Sequence, residues 1–281
     1  MGKVILHIGV HKTGTSAIQV FLERNAPALA RQGFFYRPSI PEWPNHNPLA
    51  DAFAPGRDVD GGRSHLRDLM EAAGDRTLLL SAEMLCEPQV DVRRLLDVLD
   101  GWEKTAIAYI RHPCDIIVAA FSEAVRHYPL QHRRDINTLP LAYDPSQLDM
   151  LQRFFTYADV PLVLAPYDRR QWKDGSLFAD FLGMIGATPD GFDMADRQVN
   201  RSLSHRAAEQ LRRALAEGVS EASHRALKEQ LAKSDPVEES YPLTQATIDL
   251  CLSRMRQVLP AYRPFMRPGF SEDYLTEQRP Q

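Results

Sequence analysis

Eight consecutive residues, Gly9-Val10-His11-Lys12-Thr13-Gly14-Thr15-Ser16, bring together two glycines, one lysine and three hydroxyls. That set suits the grip of an oxyanion. Gly14 permits close backbone approach, Lys12 supplies a point charge, and Thr15 and Ser16 can donate from their hydroxyls. If a helix opens here, its unsatisfied N–H groups and positive dipole end favour the same anion. His11 and Thr13 complete the candidate contacts. A second cluster, Arg111-His112-Pro113-Cys114-Asp115, offers a guanidinium whose planar fork fits a phosphate. Two side chains are candidates for accepting a proton. Glu83 follows the apolar run TLLL in TLLLSAEML, and His46 lies in PNHNPLADAF. A histidine near its usual pKa of about 6.5 accepts a proton at neutral pH without tuning, whereas a glutamate near about 4.3 needs burial or exact placement. The two stand level.

These residues need elements to position them. KVILHI at 3–8 is a short apolar run that ends at Gly9, and from Thr15 the spacing of Ile18, Phe21, Leu22 and Leu29 is helical. Similar short runs recur at 77–80, 105–110 and 162–165, each beside a segment of helical periodicity. The alternation predicts an α/β fold with a parallel central sheet covered by helices on both faces, and such sheets bind ligands at the carboxyl ends of their strands. All the candidates above fall just after such runs, except His46. The stretches 37–62 and 128–146 are rich in turn residues and read as long loops that shape an acceptor pocket. Residues 204–233 have the composition of surface helix, broken near Gly218. The expected organisation is a core over 1–203 and a helical extension over 204–281, which either caps the core within one domain or pairs with a second copy as a homodimer.

The lysine of the first octet precedes its second glycine by two residues, whereas a nucleoside-triphosphate loop, GxxxxGK[ST], has it directly after. The order K-x-G-T-[ST] resembles the 5′-phosphosulfate loop of sulfotransferases that use 3′-phosphoadenosine-5′-phosphosulfate (PAPS), P-loop relatives that need no metal. Arg111-His112-Pro113 after an apolar run resembles their 3′-phosphate motif, although the serine expected eight residues after the arginine is Ala119, and Ile116 replaces a frequent second basic residue. Ser122, one turn further along, is the candidate substitute. LVLAPYD at 162–168 is similar to a late strand of bacterial and carbohydrate sulfotransferases, and VNRSLS at 199–204 to a loop that folds over the nucleotide, which implies contacts from Asn200, Arg201 or Ser202. In the last segment, Ser202 or Ser204 can equally cap a helix.

The resemblance implies sulfuryl transfer from PAPS to a hydroxyl or amine of a carbohydrate or small molecule. Lys12 would face the leaving oxygen, and Glu83 or His46 would act as base. A nucleotide-dependent kinase and a non-catalytic nucleotide-binding protein are the alternatives. His7 reads as a core histidine, and His127, His132, Arg133 and Arg134 as solvated surface.

Composition bounds the partners. The 281 residues are 44% hydrophobic and 25% charged, with a net charge of −4 and a pI near 6.1, so no overall basic field attracts nucleic acid. No apolar stretch reaches the length of a membrane span. Cys86, Cys114 and Cys251 are odd in number and widely spaced, which argues against a disulfide framework or a zinc site and fits a reducing cytoplasm.

Overall fold

A computed structural model describes residues 2–126, 135–157, 159–195, 203–234 and 242–278. The chain runs β1 (Lys3–Ile8), α1 (Thr15–Arg24), α2 (Ala26–Arg31), β2 (Phe34–Phe35), α3 (Asn47–Asp51), α4 (Val59–Ala73), β3 (Thr77–Ala82), α5 (Val92–Val98) and β4 (Glu103–Ile110). It continues through α6 (Pro113–Arg126), α7 (Leu148–Leu151), β5 (Leu162–Pro166), α8 (Leu177–Ile185), α9 (His205–Glu217), α10 (Glu221–Ser234), α11 (Gln245–Tyr262) and α12 (Asp273–Thr276). The strands form one sheet in the order β2-β3-β1-β4-β5, and every pairing is parallel. The α/β class read from the alternating pattern is thus the observed one.

Two compact units result. The first takes Met1–Ile110, Asp149–Val199 and Tyr262–Ser271, and the second Arg111–Leu148, Asn200–Ala261 and Glu272–Gln281. Residues 111–148 join the C-terminal helices because α6 and α9 share an apolar core, in which Ile117, Phe121 and Val125 meet Ala208 and Leu211. Conversely, the segment after α11 returns to the sheet. Arg267 N–H donates to Leu164 O at 2.9 Å, covering part of the β5 edge, while its guanidinium pairs with the buried Asp180.

In the first unit, register places Ile5, His7, Leu79, Ser81, Ile107, Tyr109 and Ala165 on one sheet face. Ile18, Phe21 and Leu22 of α1 and Phe178, Phe181 and Leu182 of α8 cover it, with Phe21 stacked on Phe178 at 4.4 Å. On the other face, Leu6, Leu80 and Ala82 meet Leu49, Ala50, Leu85 and Leu95 around a small apolar pocket. Burial on both faces is what makes these strands continuous apolar runs. In the second unit Gly218, at φ 81°, ends α9, and Ser204 caps its start by accepting from Ala207 N–H. No helix among the described residues is long and apolar enough to cross a membrane.

Candidate functional site

The β1–α1 turn is built by its own residues. Gly9 is buried, and its N–H prolongs the pairing of β1 with β3 by donating to Ala82 O at 3.1 Å. A Cβ there would stand 2.5 Å from Thr15 Cγ2 and 2.8 Å from Glu83 Cγ, so glycine is what lets the turn and the end of β3 pack together. Thr13 donates its hydroxyl to Val10 O at 2.6 Å, and Thr15 donates to the same oxygen at 3.4 Å. Both threonines are buried, and in this structure their hydroxyls help close the turn. Ser16, by contrast, is exposed.

Lys12 and Gly14 both adopt left-handed backbone, at φ 64° and 75°. The lysine pays about 1–2 kcal/mol for this. Left-handed residues next to ordinary ones turn successive N–H groups inward into an anion-binding concavity. Gly14 also has no room for a side chain, since a Cβ would lie 2.8 Å from Leu177 Cδ2 and 3.0 Å from Tyr167 Oη. Among the described residues no side chain caps α1, and its first turn holds no acidic residue. A helix start of this kind offers N–H donors and a positive dipole end that suit an anion.

At the end of β3, Glu83 leads into a single 3₁₀ turn, Met84–Cys86, followed by Glu87. His11 stands between the two carboxylates. Its Nε2 is 2.9 Å from Glu87 Oε1 and its Nδ1 3.9 Å from Glu83 Oε2. The three side chains are 29–32% exposed, open enough for a substrate to reach and covered enough to hold a fixed geometry. His11, expected at the phosphate, thus lies against carboxylates. Glu87 was not singled out in the sequence, although its spacing of four from Glu83, directly after a strand, is a visible signal.

His46 does something else. It is 1% exposed, its Nδ1 accepts from Ser81 N–H at 3.1 Å, and its Nε2 donates to Arg37 O at 3.0 Å. Burial lowers its pKa to about 4. Both ring nitrogens are spent on backbone groups, so the ring has no lone pair to offer an acceptor, and the expected base at this position is instead a bolt between its loop and β3. Asn47 reinforces it by accepting from Met84 N–H at 3.1 Å. His7 is the core histidine expected. It meets Ser81 Oγ at 2.8 Å, and burial brings its pKa to about 3.

The turn after β4 belongs to the second unit. Gln147, fully buried, clamps the backbone of Arg111, accepting from its N–H at 3.0 Å and donating to its O at 2.7 Å. His112 Nδ1 accepts from Cys114 N–H at 3.2 Å, which caps α6 from within. The side chain of Arg111 is half-buried, as is Ala119 in α6. Ser122 is 6% exposed, and its hydroxyl has no hydrogen-bond partner among the described residues. Asn200, Arg201 and Ser202 lie outside the described residues, as do His127, His132, Arg133 and Arg134.

Of the expected site residues, the structure brings the 9–16 octet and Glu83 together and sets His46 apart. Compared with protein-family models, curated proteins and solved structures, the chain matches none. Its functional assignment rests on its own residues.

Proposed function

We propose that the protein is a sulfotransferase that moves a sulfuryl group from PAPS to a hydroxyl or amine of a carbohydrate or small-molecule acceptor. One observation carries this reading: an uncapped helix start preceded by left-handed Lys12 and Gly14, with a carboxylate, Glu83, at the end of the neighbouring strand. The cradle fits a phosphosulfate by its donors, and the lysine order departs from that of triphosphate loops. PAPS supplies the sulfur–oxygen bond that breaks in the reaction.

In this reading the first turn of α1 and the exposed Ser16 hold the 5′-phosphosulfate. Lys12 balances charge on the departing oxygen, and Glu83 takes the acceptor's proton. Thr13 and Thr15 act by shaping the turn. By the sequence resemblance Arg111 would take the 3′-phosphate, and Ser122, whose hydroxyl has no partner among the described residues, would assist it. No metal enters the scheme. A cytoplasmic location accords with three buried cysteines, none of them in a disulfide.

Calorimetric titration with 3′-phosphoadenosine-5′-phosphate (PAP), without magnesium, tests the reading. Metal-independent binding that weakens roughly ten- to a hundredfold in Lys12→Ala and in Arg111→Ala supports it, as expected for the loss of a charged hydrogen bond. Tighter binding of ATP with magnesium, or no binding of either nucleotide, sinks it.

A further inference from the structure

The sulfotransferase reading leaves His11 and Glu87 without a task, yet their geometry is specific. An ionised carboxylate only accepts hydrogen bonds, so the 2.9 Å contact with Glu87 Oε1 requires the hydrogen on His11 Nε2. In the neutral ring Nδ1 then carries the lone pair, and that nitrogen is the one 3.9 Å from Glu83 Oε2. The positions of both carboxylates are set by backbone. Cys86 N–H donates to Glu83 O at 2.9 Å, and Val90 N–H to Glu87 O at 3.1 Å. Arg153 anchors the same corner by donating to Leu85 O and Val90 O.

We infer that Glu87 is a positioning residue that fixes the His11 tautomer, and that His11 Nδ1 relieves Glu83 of the proton taken from the acceptor. This inference rests on the sulfotransferase reading and extends it from one residue to a three-residue relay. The bookkeeping of the step is as follows: the acceptor O–H or N–H bond breaks, its proton goes to a Glu83 oxygen, and the acceptor atom forms its bond to sulfur. The sulfur–oxygen bond to the nucleotide breaks, and the electron pair leaves with the phosphate. Glu83 then passes its proton to His11 Nδ1, 3.9 Å away, through one bridging water or after closing to hydrogen-bond distance. The product is an imidazolium between the two carboxylates. Several other charged or titratable groups bear on this corner: Lys12 is the chain neighbour of His11, Arg153 acts on Glu87, and Cys86 feels Arg153, Glu83, Glu87 and Asp149.

The decisive measurement is the nitrogen NMR signature of the His11 ring in the intact wild-type chain, combined with turnover of PAPS with water as acceptor, followed against pH. The expected result is a ring protonated on Nε2 alone near neutral pH. In Glu87→Gln, PAP binding stays within about twofold, turnover falls roughly tenfold, and the ring hydrogen is no longer confined to Nε2. A ring hydrogen on Nδ1 in the wild type, or unchanged turnover in Glu87→Gln, overturns the relay while PAP binding leaves the sulfotransferase reading standing. Absence of PAP binding in the wild type removes that reading and the relay together.

Discussion

The two strand-to-helix turns, one after β1 and one after β4, share a layout and differ in what fills them. After β1 no side chain among the described residues caps the helix, and the threonine hydroxyls turn inward to Val10 O. After β4, His112 caps α6 with its own ring, Tyr274 Oη accepts from His112 N–H at 2.9 Å, and Gln147 occupies both polar groups of the Arg111 backbone. Strand, turn and helix alone therefore do not make an anion site. What decides is whether the chain has already satisfied the donors at the helix start. Among the described residues, the second turn meets its own donors with His112, Tyr274 and Gln147, and the first shows no side-chain cap of that kind.

The largest expected effect tests how closely the first turn is built. Gly14→Ala must place a Cβ against Leu177 and Tyr167 in a left-handed conformation. Strain and overpacking together predict a loss of about 2–4 kcal/mol in urea unfolding. A loss under about 0.5 kcal/mol would show that the turn yields, and that its donors are not preset.

Acid should then loosen the frame behind that turn. Ser81 is held by His46 on its N–H and by His7 on its hydroxyl. Both histidines are neutral in the fold, with pKa values that burial lowers from 6.5 to about 4 and about 3. Because the folded values lie below the unfolded one, the unfolded chain binds more protons in the interval. Stability should therefore be unaffected by these groups above pH 6.5 and fall as pH drops from 6.5 toward 4, at up to about 1.4 kcal/mol per pH unit for each ring. Protonated Nδ1 of His46 would face the Ser81 N–H donor to donor. Denaturant unfolding between pH 7 and 5 measures the slope, and His46→Gln should flatten it by one proton. An unchanged slope in that variant would mean that His46 does not stay neutral.

On the second turn, Gln147→Ala exposes the comparison from the other side. It leaves the N–H and carbonyl of Arg111 without their partner in a buried setting, which costs about 1–3 kcal/mol. His112→Ala removes a cap worth about 1 kcal/mol. If thermal unfolding shows neither loss, the second turn is not self-satisfied and the contrast with the first collapses.

The sequence exposes these regions unequally, for physical reasons. β1, β3, β4 and β5 are legible because burial on both faces demands unbroken apolar runs, and Gly218 marks a helix end because few other residues accept its φ. β2 is two residues long and exists because the edge of β3 offers it a partner, which no local pattern announces. α4 begins at Val59 within a stretch that reads as loop, since the Asp58 cap on Gly61 N–H offsets two glycines in its first turns. The octet at 9–16 is legible because it is contiguous. The contact of His11 with Glu87 spans 76 residues, and the partners of His46 are backbone atoms of Arg37 and Ser81, so only the fold brings out either role.

The smallest expected effect is the sharpest for the second turn. Ser122 places a hydroxyl in the core side of α6 without a partner among the described residues, and a buried polar group left unsatisfied costs stability. Ser122→Ala should leave unfolding within about 0.5 kcal/mol of wild type or raise stability slightly, because it removes an unmet donor and little volume. If the hydroxyl is kept for a 3′-phosphate, the same substitution should weaken PAP binding roughly tenfold while leaving adenosine 5′-phosphate, which lacks that group, unaffected. Parallel titrations with the two nucleotides separate the cases. Equal affinities before and after substitution would make Ser122 a packing defect and leave Arg111 as the second turn's sole claim on an anion.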